Sequence, residues 1–148
     1  MKLSIVIPSY NEEATIEAII LRVQAVDLGP IEKEIIVVND GSRDGTEKVL
    51  QGLPGIRRIS HERNEGKGAA LTTGFQAATG DIVLIQDADL EYDPNDYPAV
   101  IRPIVEGHSD VVMGSRFLYE RPVFFGKRRS PYFTHYIGNL LIVTITNL

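Results

Sequence analysis

Short apolar runs rich in β-branched residues alternate along the chain with amphipathic or mixed segments. Residues 3–8, 34–39 and 82–86 are such runs and are bounded by polar residues, which predicts buried strands. Residues 56–60 are interrupted by two arginines and predict a strand near the sheet edge, and residues 110–113 predict a fifth strand. Strands that alternate with helices favour a three-layer α/β/α domain with a mainly parallel sheet.

The segments between these runs predict helices. The first follows Asn11, its expected N-cap, and its apolar residues recur with helical spacing. These apolar residues are Ile16, Ile19, Ile20 and Val23. Residues 47–50 and 95–107 predict further helices, and residues 69–80 predict one that ends at Gly80 as its C-cap. The expected inner face of that helix comprises Leu71, Gly74, Phe75 and Ala78. Its many small residues indicate that it lies close to its neighbours.

Five carboxylates follow the strand predicted at residues 82–86. The first two, Asp87 and Asp89, would point to the same side if the backbone stayed extended. Two carboxylates on one side repel each other unless a cation lies between them, and hard oxygen ligands suit Mg²⁺ or Mn²⁺. Open α/β sheets bind ligands outside the carboxyl ends of their strands, which favours a binding site here. The alternative is that the carboxylates cap the next helix and keep a loop solvated.

The composition is that of one ordinary globular domain. The chain has 148 residues, of which 43% are hydrophobic and 24% charged, and its formal net charge is −5. This charge argues against a general nucleic-acid-binding protein. The lack of cysteine excludes disulfides, thiolate metal sites and a cysteine nucleophile. No apolar run approaches the ~20 residues needed to span a bilayer, and no signal peptide precedes the first predicted strand.

Other turns carry weaker signals. Asp40 follows the second predicted strand directly, a position that often contacts a nucleotide, although an Asx-turn is the alternative. The turn at residues 8–11 contains no glycine, which excludes a dinucleotide-binding motif. The Gly-Lys-Gly sequence at residues 66–68 lacks the spacing of a P-loop. His61 is interpreted as a loop residue, because no second histidine lies nearby to share a metal.

Five short motifs occur in a consistent order. They are IPSYNE (residues 7–12), VNDGS (38–42), NEGKGAA (64–70), DADLE (87–91) and GSR (114–116). Together they resemble the inverting family 2 glycosyltransferases, which have the Rossmann-like GT-A fold of nucleotide-diphospho-sugar transferases. The basic loop beyond them is similar to that of the branch that transfers sugars to dolichyl or other polyprenyl phosphates.

The resemblance implies a set of site residues. Those implied for the nucleotide pocket are Pro8, Tyr10, Asn11, Glu12, Asp40 and Asp87. Those implied to hold Mg²⁺ or Mn²⁺ are Asp87, Asp89 and Glu91. Those implied to meet phosphate oxygens are Arg116 and Arg128 or Arg129. Those implied in catalysis are Asp89 and Arg116. Glu91 departs from the glutamine common in that branch and adds negative charge at the metal.

The function implied is inverting transfer of a sugar from a GDP- or UDP-sugar to a polyprenyl phosphate. A phosphate acceptor is already ionised and needs no general base, and the sequence contains no convincing isolated base. Two alternatives stay open, a transferase acting on a soluble saccharide and a non-catalytic nucleotide-binding module. A nucleotidyltransferase is disfavoured, because the glycine-rich turn of that class is missing.

The C-terminal part of the sequence predicts a location. Basic and aromatic residues interleave between residues 116 and 136, which is typical of a segment that seeks a membrane surface. We therefore expect a cytoplasmic protein that is peripheral at the cytoplasmic face of the membrane. The expected domains are a nucleotide-sugar-binding domain over residues 1–131 and, over residues 132–148, the start of a truncated acceptor or interface segment. The alternative is that this tail is ordinary core.

Overall fold

The computed structural model describes residues 1–114, of which Met1–Val112 form one compact unit. Strands and helices alternate in it as the sequence predicts. Their bounds are β1 (Lys2–Ser9), α1 (Ile16–Ala25), β2 (Glu32–Asn39), α2 (Thr46–Gln51), β3 (Arg57–Ser60), α3 (Lys67–Ala77), β4 (Ile82–Ile85) and α4 (Tyr97–Val105). A short 3₁₀ helix, Pro94–Asp96, precedes α4. The domain boundary predicted at residue 131 lies outside the described residues.

The four strands form a parallel sheet in the order β3-β2-β1-β4. Ile5 of β1 pairs with Ile35 of β2 on one side and with Leu84 of β4 on the other. β1 is therefore central, and β3 lies at an edge as its arginines predicted. Because the strands are parallel, the loops that follow them all emerge at one edge of the sheet.

Helices cover both faces of this sheet. Ile5 and Ile7 of β1 belong to a buried cluster that includes residues of α1, α2 and α4. Ile36 and Val38 of β2 belong to a second cluster with Ala70 of α3. Successive residues of a strand point to opposite faces, and the neighbours of Ile36 in β2 belong to the first cluster, so the clusters lie on opposite faces. The predicted three-layer α/β/α architecture is confirmed.

Helix α3 lies close to the sheet at Gly74, as its small residues predicted. A Cβ atom at that position would collide with the side chain of Val6, so the approach requires glycine. Phe75, which was predicted on the same inner face, is 45% exposed. The fully buried residue on the inner face of α3 is instead Ala70, which lies one turn before Gly74.

The predicted N-cap at Asn11 is wrong. Helix α1 begins at Ile16 after Thr15, and Asn11 has a left-handed φ of 56°. The Asn11 side-chain oxygen accepts a hydrogen bond from Arg43 N at 2.8 Å, and Asn11 N donates to Ser42 Oγ at 3.0 Å. These bonds tie the turn after β1 to the turn after β2 and draw Asn11 away from the helix.

The predicted C-cap at Gly80 is also wrong. Helix α3 ends at Ala77, and Ala78 is already extended. Gly80 N donates to Ser4 Oγ at 2.9 Å, and a Cβ atom on Gly80 would lie only 2.7 Å from Ser4 N. Glycine is needed at this position because the chain passes over β1 there, not because it ends a helix.

Two predictions about strands also need correction. The strand β4 was expected to be fully buried, but Val83 and Ile85 are 43% and 49% exposed. These two side chains lie on the same face of the sheet as α3. On that face, however, α3 packs over β1 and β2. Residues 110–113 do not form the predicted strand. Both backbone polar groups of Val111 bond to Ser109 Oγ, which holds this segment in a local turn.

Glu34 is tied into a hydrogen-bond network between β1, β2 and the segment before β4. Its carboxylate accepts bonds from Ser4 Oγ at 2.6 Å and from Thr79 N at 2.9 Å, and Lys2 Nζ lies 3.5 Å away. Burial opposes ionisation, but these bonds outweigh it and lower the pKa of Glu34 from 4.5 to about 2. The ionised form therefore stabilises the fold.

We expect Glu34→Gln to lower the free energy of unfolding by about 2 kcal/mol at neutral pH, because charge-assisted hydrogen bonds are lost. A depressed native pKa gives stability that is present above the unfolded pKa and disappears as pH falls through the native pKa. The difference from wild type should therefore shrink between pH 4.5 and about 2. Urea denaturation across this range measures it. Glu32→Gln is the control, since Glu32 is 73% exposed; an equal loss in both variants would contradict the network.

Candidate functional site

An open pocket lies at the carboxyl ends of β1, β2 and β4. It is lined by Pro8, Ser9, Tyr10, Glu12, Asp40, Asn64, Lys67, Ala70, Asp87, Ala88 and Asp89. The lining comes from four of the five motifs identified in the sequence. Residues distant in the chain therefore converge, because parallel strands deliver their following loops to the same edge of the sheet.

Most of the predicted site residues within the described part of the chain meet in this pocket. Those that line it are Pro8, Tyr10, Glu12, Asp40, Asp87 and Asp89. Asn11 is not part of the lining, because its side chain is bonded to the backbone of the next turn. Glu91 is exposed and is not part of the lining either. Arg116, Arg128 and Arg129 lie outside the described residues.

Asp40 is the buried anchor of the pocket, with only 2% of its surface exposed. Its carboxylate accepts hydrogen bonds from Glu65 N at 3.0 Å and from Gly66 N at 2.8 Å, and it lies 2.7 Å from His61 Nδ1. These partners lie in the loop before α3, so the bonding is not that of an Asx-turn. Asp40 holds this loop against the end of β2.

The ionised form of Asp40 is favoured by these contacts. Burial raises its pKa, but hydrogen bonds from Glu65 N, His61 and Gly66 N outweigh burial and hold the pKa below its usual value. His61 also bonds Thr73 Oγ1 of α3 through Nε2 at 2.9 Å. The histidine is thus a structural link between Asp40 and α3, which agrees with its interpretation as a loop residue.

The first turn of the pocket is held by bonds to neighbouring segments. Glu12 N donates to Thr46 Oγ1 at 2.9 Å, and the Glu12 carboxylate accepts from Thr15 Oγ1 at 2.5 Å. Tyr10 is 40% exposed. Ser9 Oγ is buried and has no hydrogen-bond partner within residues 1–114. An exposed ring and an unsatisfied hydroxyl leave this wall able to contact a ligand.

The two carboxylates after β4 reach the pocket by a different backbone path from the one expected. The chain turns at Ala88 and Asp89 instead of staying extended, and Leu90 has a left-handed φ of 64°. Asp89 Oδ1 accepts from Glu91 N at 3.0 Å, which closes the turn. Asp87 and Asp89 nevertheless both line the pocket.

The donor set of this turn fits a hard divalent cation. Mg²⁺ usually takes one or two protein carboxylates and completes its shell with waters and substrate phosphates. Asp87 and Asp89 would provide those two carboxylates. Within residues 1–114 no group of three or more carboxylate, histidine or cysteine side chains is placed to hold a metal, so Glu91 as a third ligand stays a prediction.

Lys67 is a pocket residue whose role the sequence did not predict. Its Nζ lies 2.6 Å from Asp87 Oδ1, and its side chain is 59% exposed. It stands at the first position of α3, directly after Gly66, which has a positive φ of 93°. The sequence does contain a relevant pattern, a lysine between two glycines at the start of a helix. Because this pattern lacks the spacing of a P-loop, Lys67 was not predicted to lie beside the carboxylates.

Comparison with known proteins now identifies the family. Residues 4–146 match the family model for glycosyl transferase family 2. The chain belongs to glycosyl transferase family 2. The resemblance predicted from the five motifs is thereby confirmed, together with the GT-A fold of its structural neighbours. Within residues 1–114 this family 2 chain has no helix long and apolar enough to cross a membrane.

Two relatives of this family 2 chain act on lipid phosphates by name. The dolichol-phosphate mannosyltransferase of Pyrococcus furiosus is 36% identical over 121 residues, which cover 80% of this chain and 34% of the relative. The undecaprenyl-phosphate 4-deoxy-4-formamido-L-arabinose transferase of Aeromonas hydrophila is 36% identical over 115 residues, which cover 74% and 35%. The chain thus spans about a third of the length of these relatives.

Solved structures of glycosyltransferases share the fold. Glucosyl-3-phosphoglycerate synthase from Mycobacterium tuberculosis, in complex with Mn²⁺, UDP-glucose and phosphoglyceric acid, has a TM-score of 0.61 and 34% identity over 72% of this chain and 40% of that one. The mannosyltransferase from Pyrobaculum calidifontis, in complex with GDP-mannose and Mn²⁺, has a TM-score of 0.57 and 30% identity over 64% and 29%.

We expect Asp40→Ala to lower the free energy of unfolding by about 3 kcal/mol and the melting temperature by roughly 10 °C. The reason is that Glu65 N, Gly66 N and His61 all lose their buried acceptor. Thermal denaturation followed by circular dichroism measures the change. Asp81→Ala is the control, because Asp81 is exposed and its carboxylate accepts a bond from Lys2 N at the surface. A similar small change in both variants would rule out the anchoring role of Asp40.

Proposed function

We propose that this family 2 chain is the nucleotide-sugar-binding part of a glycosyltransferase that moves a sugar from a GDP- or UDP-sugar to a polyprenyl phosphate. The observation that carries the proposal is the pocket itself, in which Asp87 and Asp89 stand beside Lys67. Carboxylates that hold a divalent cation and a nearby lysine are suited to a diphosphate leaving group.

The nucleotide would lie along the ends of β1 and β2. Tyr10 offers an exposed ring to a base, and Pro8 and Glu12 flank it in the same wall. Asp40 would act indirectly, by holding the loop that carries Lys67. The structures with UDP-glucose and GDP-mannose support a nucleotide-sugar donor and leave both nucleotides open for this chain.

Asp87 and Asp89, with Glu91 as a further candidate ligand, would hold Mg²⁺ or Mn²⁺. When bound, such a cation stabilises the negative charge of the departing diphosphate. Lys67 would then turn from Asp87 towards the phosphate oxygens. Arg116 would add positive charge to the diphosphate together with Arg128 or Arg129, and Asp89 and Arg116 would be the residues closest to the reaction.

A lipid phosphate is the acceptor best supported, because both named relatives act on polyprenyl phosphates. Its oxygen is ionised at neutral pH, so attack on the anomeric carbon requires no general base. A reaction without a general base agrees with the pocket, because the carboxylates of Asp40 and Glu12 already accept hydrogen bonds from the protein. The full protein would then work at the cytoplasmic face of a membrane, with the basic residues beyond residue 116 near the anionic surface.

A soluble phosphorylated acid is the second candidate acceptor. It is favoured by the similarity to the synthase solved with phosphoglyceric acid. Such an acceptor would not need a membrane surface. The two candidate reactions use the same donor pocket and differ only in the acceptor molecule.

The role of the carboxylates is tested by nucleotide binding with and without metal. We expect UDP or GDP to bind more tightly with Mn²⁺ than with EDTA, and Asp89→Asn to remove this difference while the melting temperature stays close to wild type. Isothermal titration calorimetry measures the affinities. Asp96→Asn is the matched control, because it makes the same change at a carboxylate outside the pocket lining. Equal affinity with EDTA and Mn²⁺ in wild type would refute the metal role.

The acceptor is tested with the longest native polypeptide that contains this chain. We expect it to transfer radiolabelled sugar from a GDP- or UDP-sugar to vesicles that contain undecaprenyl or dolichyl phosphate, since the lipid phosphate supplies an ionised nucleophile. Vesicles without the polyprenyl phosphate are the control. Transfer to 3-phosphoglycerate instead would establish the second candidate, and nucleotide binding without transfer to either would favour a non-catalytic module.

A further inference from the structure

We propose that Gln86 and Tyr97 form a positioning pair that sets the carboxylate loop, defined here as residues 87–92, so that α4 fixes the place of Asp87 and Asp89. Its catalytic meaning rests on the proposed function, but the geometry can be tested separately. Neither residue lines the pocket.

Gln86 is the last fixed point before the carboxylate loop. It is 1% exposed and lies between Ile85, the end of β4, and Asp87. Its backbone N donates to Val6 O at 3.0 Å, which extends the attachment of β4 to the central strand by one residue. The carboxylate loop therefore starts from a rigid position.

The side chain of Gln86 clamps both ends of the carboxylate loop. Its Nε2 donates to Asp87 O at 2.9 Å and to Tyr92 O at 3.4 Å. A primary amide carries two N–H donors, so one group can serve both carbonyls. The loop leaves β4 and returns to within reach of the same nitrogen, which limits the paths that the intervening residues can take.

Tyr97 fixes the orientation of this amide. Its hydroxyl donates to Gln86 Oε1 at 2.7 Å in a buried environment, and Tyr97 itself is 4% exposed in the core beside Ile101. A flipped amide would place its oxygen against the carbonyls of Asp87 and Tyr92, which cannot donate. Burial raises the pKa of Tyr97, so its hydroxyl remains a donor at physiological pH.

The carboxylate loop requires such support because its backbone is not relaxed. Leu90 adopts a left-handed φ of 64°, which is unfavourable for a bulky residue and persists where the surroundings enforce it. The bond from Glu91 N to Asp89 Oδ1 stabilises the turn locally, but it lies in an exposed environment. Ala88 and Leu90 of the turn pack against the core cluster, and the Gln86 side chain adds hydrogen bonds that fix the backbone at the two ends of the loop.

The alternative is that the pair has a purely structural role, as a buried hydrogen bond that only stabilises the core. The two roles differ in what a small perturbation changes. A general loss of stability lowers the melting temperature and leaves the native loop unchanged, whereas loss of positioning loosens residues 87–92 and weakens the metal-dependent part of nucleotide binding. Tyr97→Phe is the appropriate variant, because it removes one hydroxyl and keeps the ring in the core.

We expect Tyr97→Phe to increase amide hydrogen exchange across residues 87–92 under native conditions. The tightening of UDP or GDP binding by Mn²⁺ should fall by about fivefold, the size expected for one lost buried hydrogen bond, while affinity in EDTA stays unchanged. Gln86→Leu removes the whole clamp and should have the larger effect. The control is Ile101→Val or Ile101→Ala, whichever matches the melting temperature of Tyr97→Phe, because Ile101 is 3% exposed in the same helix.

Exchange across residues 87–92 that rises no more in Tyr97→Phe than in the matched Ile101 variant would overturn the positioning pair. An equal loss of affinity in EDTA and in Mn²⁺ would also overturn it, because the effect would not be specific to the metal. If exchange rises as expected but wild type shows no metal dependence, the pair stands as the support of the loop and the proposed metal role falls. The two ideas therefore fail separately.

Discussion

The parallel pairing of β1 with both β2 and β4 is the constraint on which the pocket depends. Ser9 pairs with Asn39 at the end of β2, and Val6 pairs with Ile85 at the end of β4. The segments that follow these strands therefore begin at neighbouring points on one edge of the sheet. Since β1 is buried on both faces and paired on both sides, it cannot shift without moving the whole pocket.

At the carboxyl ends of the strands, buried polar side chains fix the loops that lie outside regular secondary structure. Asp40 is ionised and accepts hydrogen bonds from backbone N–H groups of the loop before α3. Gln86 acts mainly as a donor and bonds to backbone carbonyls of the carboxylate loop. Both lie immediately after a strand end and are almost fully buried. Each loop is thus attached through a group that would be costly to leave unsatisfied, which favours one loop conformation.

The sequence could predict the features that depend on local pattern. Runs of β-branched residues indicated the strands, and the alternation of elements indicated the parallel sheet and hence the meeting of Asp40 and Asp87 at one edge. The two backbone partners of Asp40 could not be predicted, because they lie 25 and 26 residues away and any residue type can donate such a bond. The predicted cap at Asn11 is wrong for the same reason: its competing partners belong to a turn more than 30 residues further on. Hydrophobic periodicity reports burial and carries no information about such distant polar contacts.

The lining of the pocket carries more negative than positive charge. Glu12, Asp40, Asp87 and Asp89 bring negative charge to the lining, and Lys67 is the cation that the described lining supplies. Asp40 and Glu12 are satisfied by their own hydrogen bonds, whereas Lys67 is 59% exposed and its pairing with Asp87 is of the weak, exchangeable kind. On the proposed function, a nucleoside diphosphate adds further negative charge and needs a stronger counter-charge than one ammonium group. A divalent cation held by Asp87 and Asp89 would supply that counter-charge, and Lys67 would then be able to pair with the phosphates instead of Asp87.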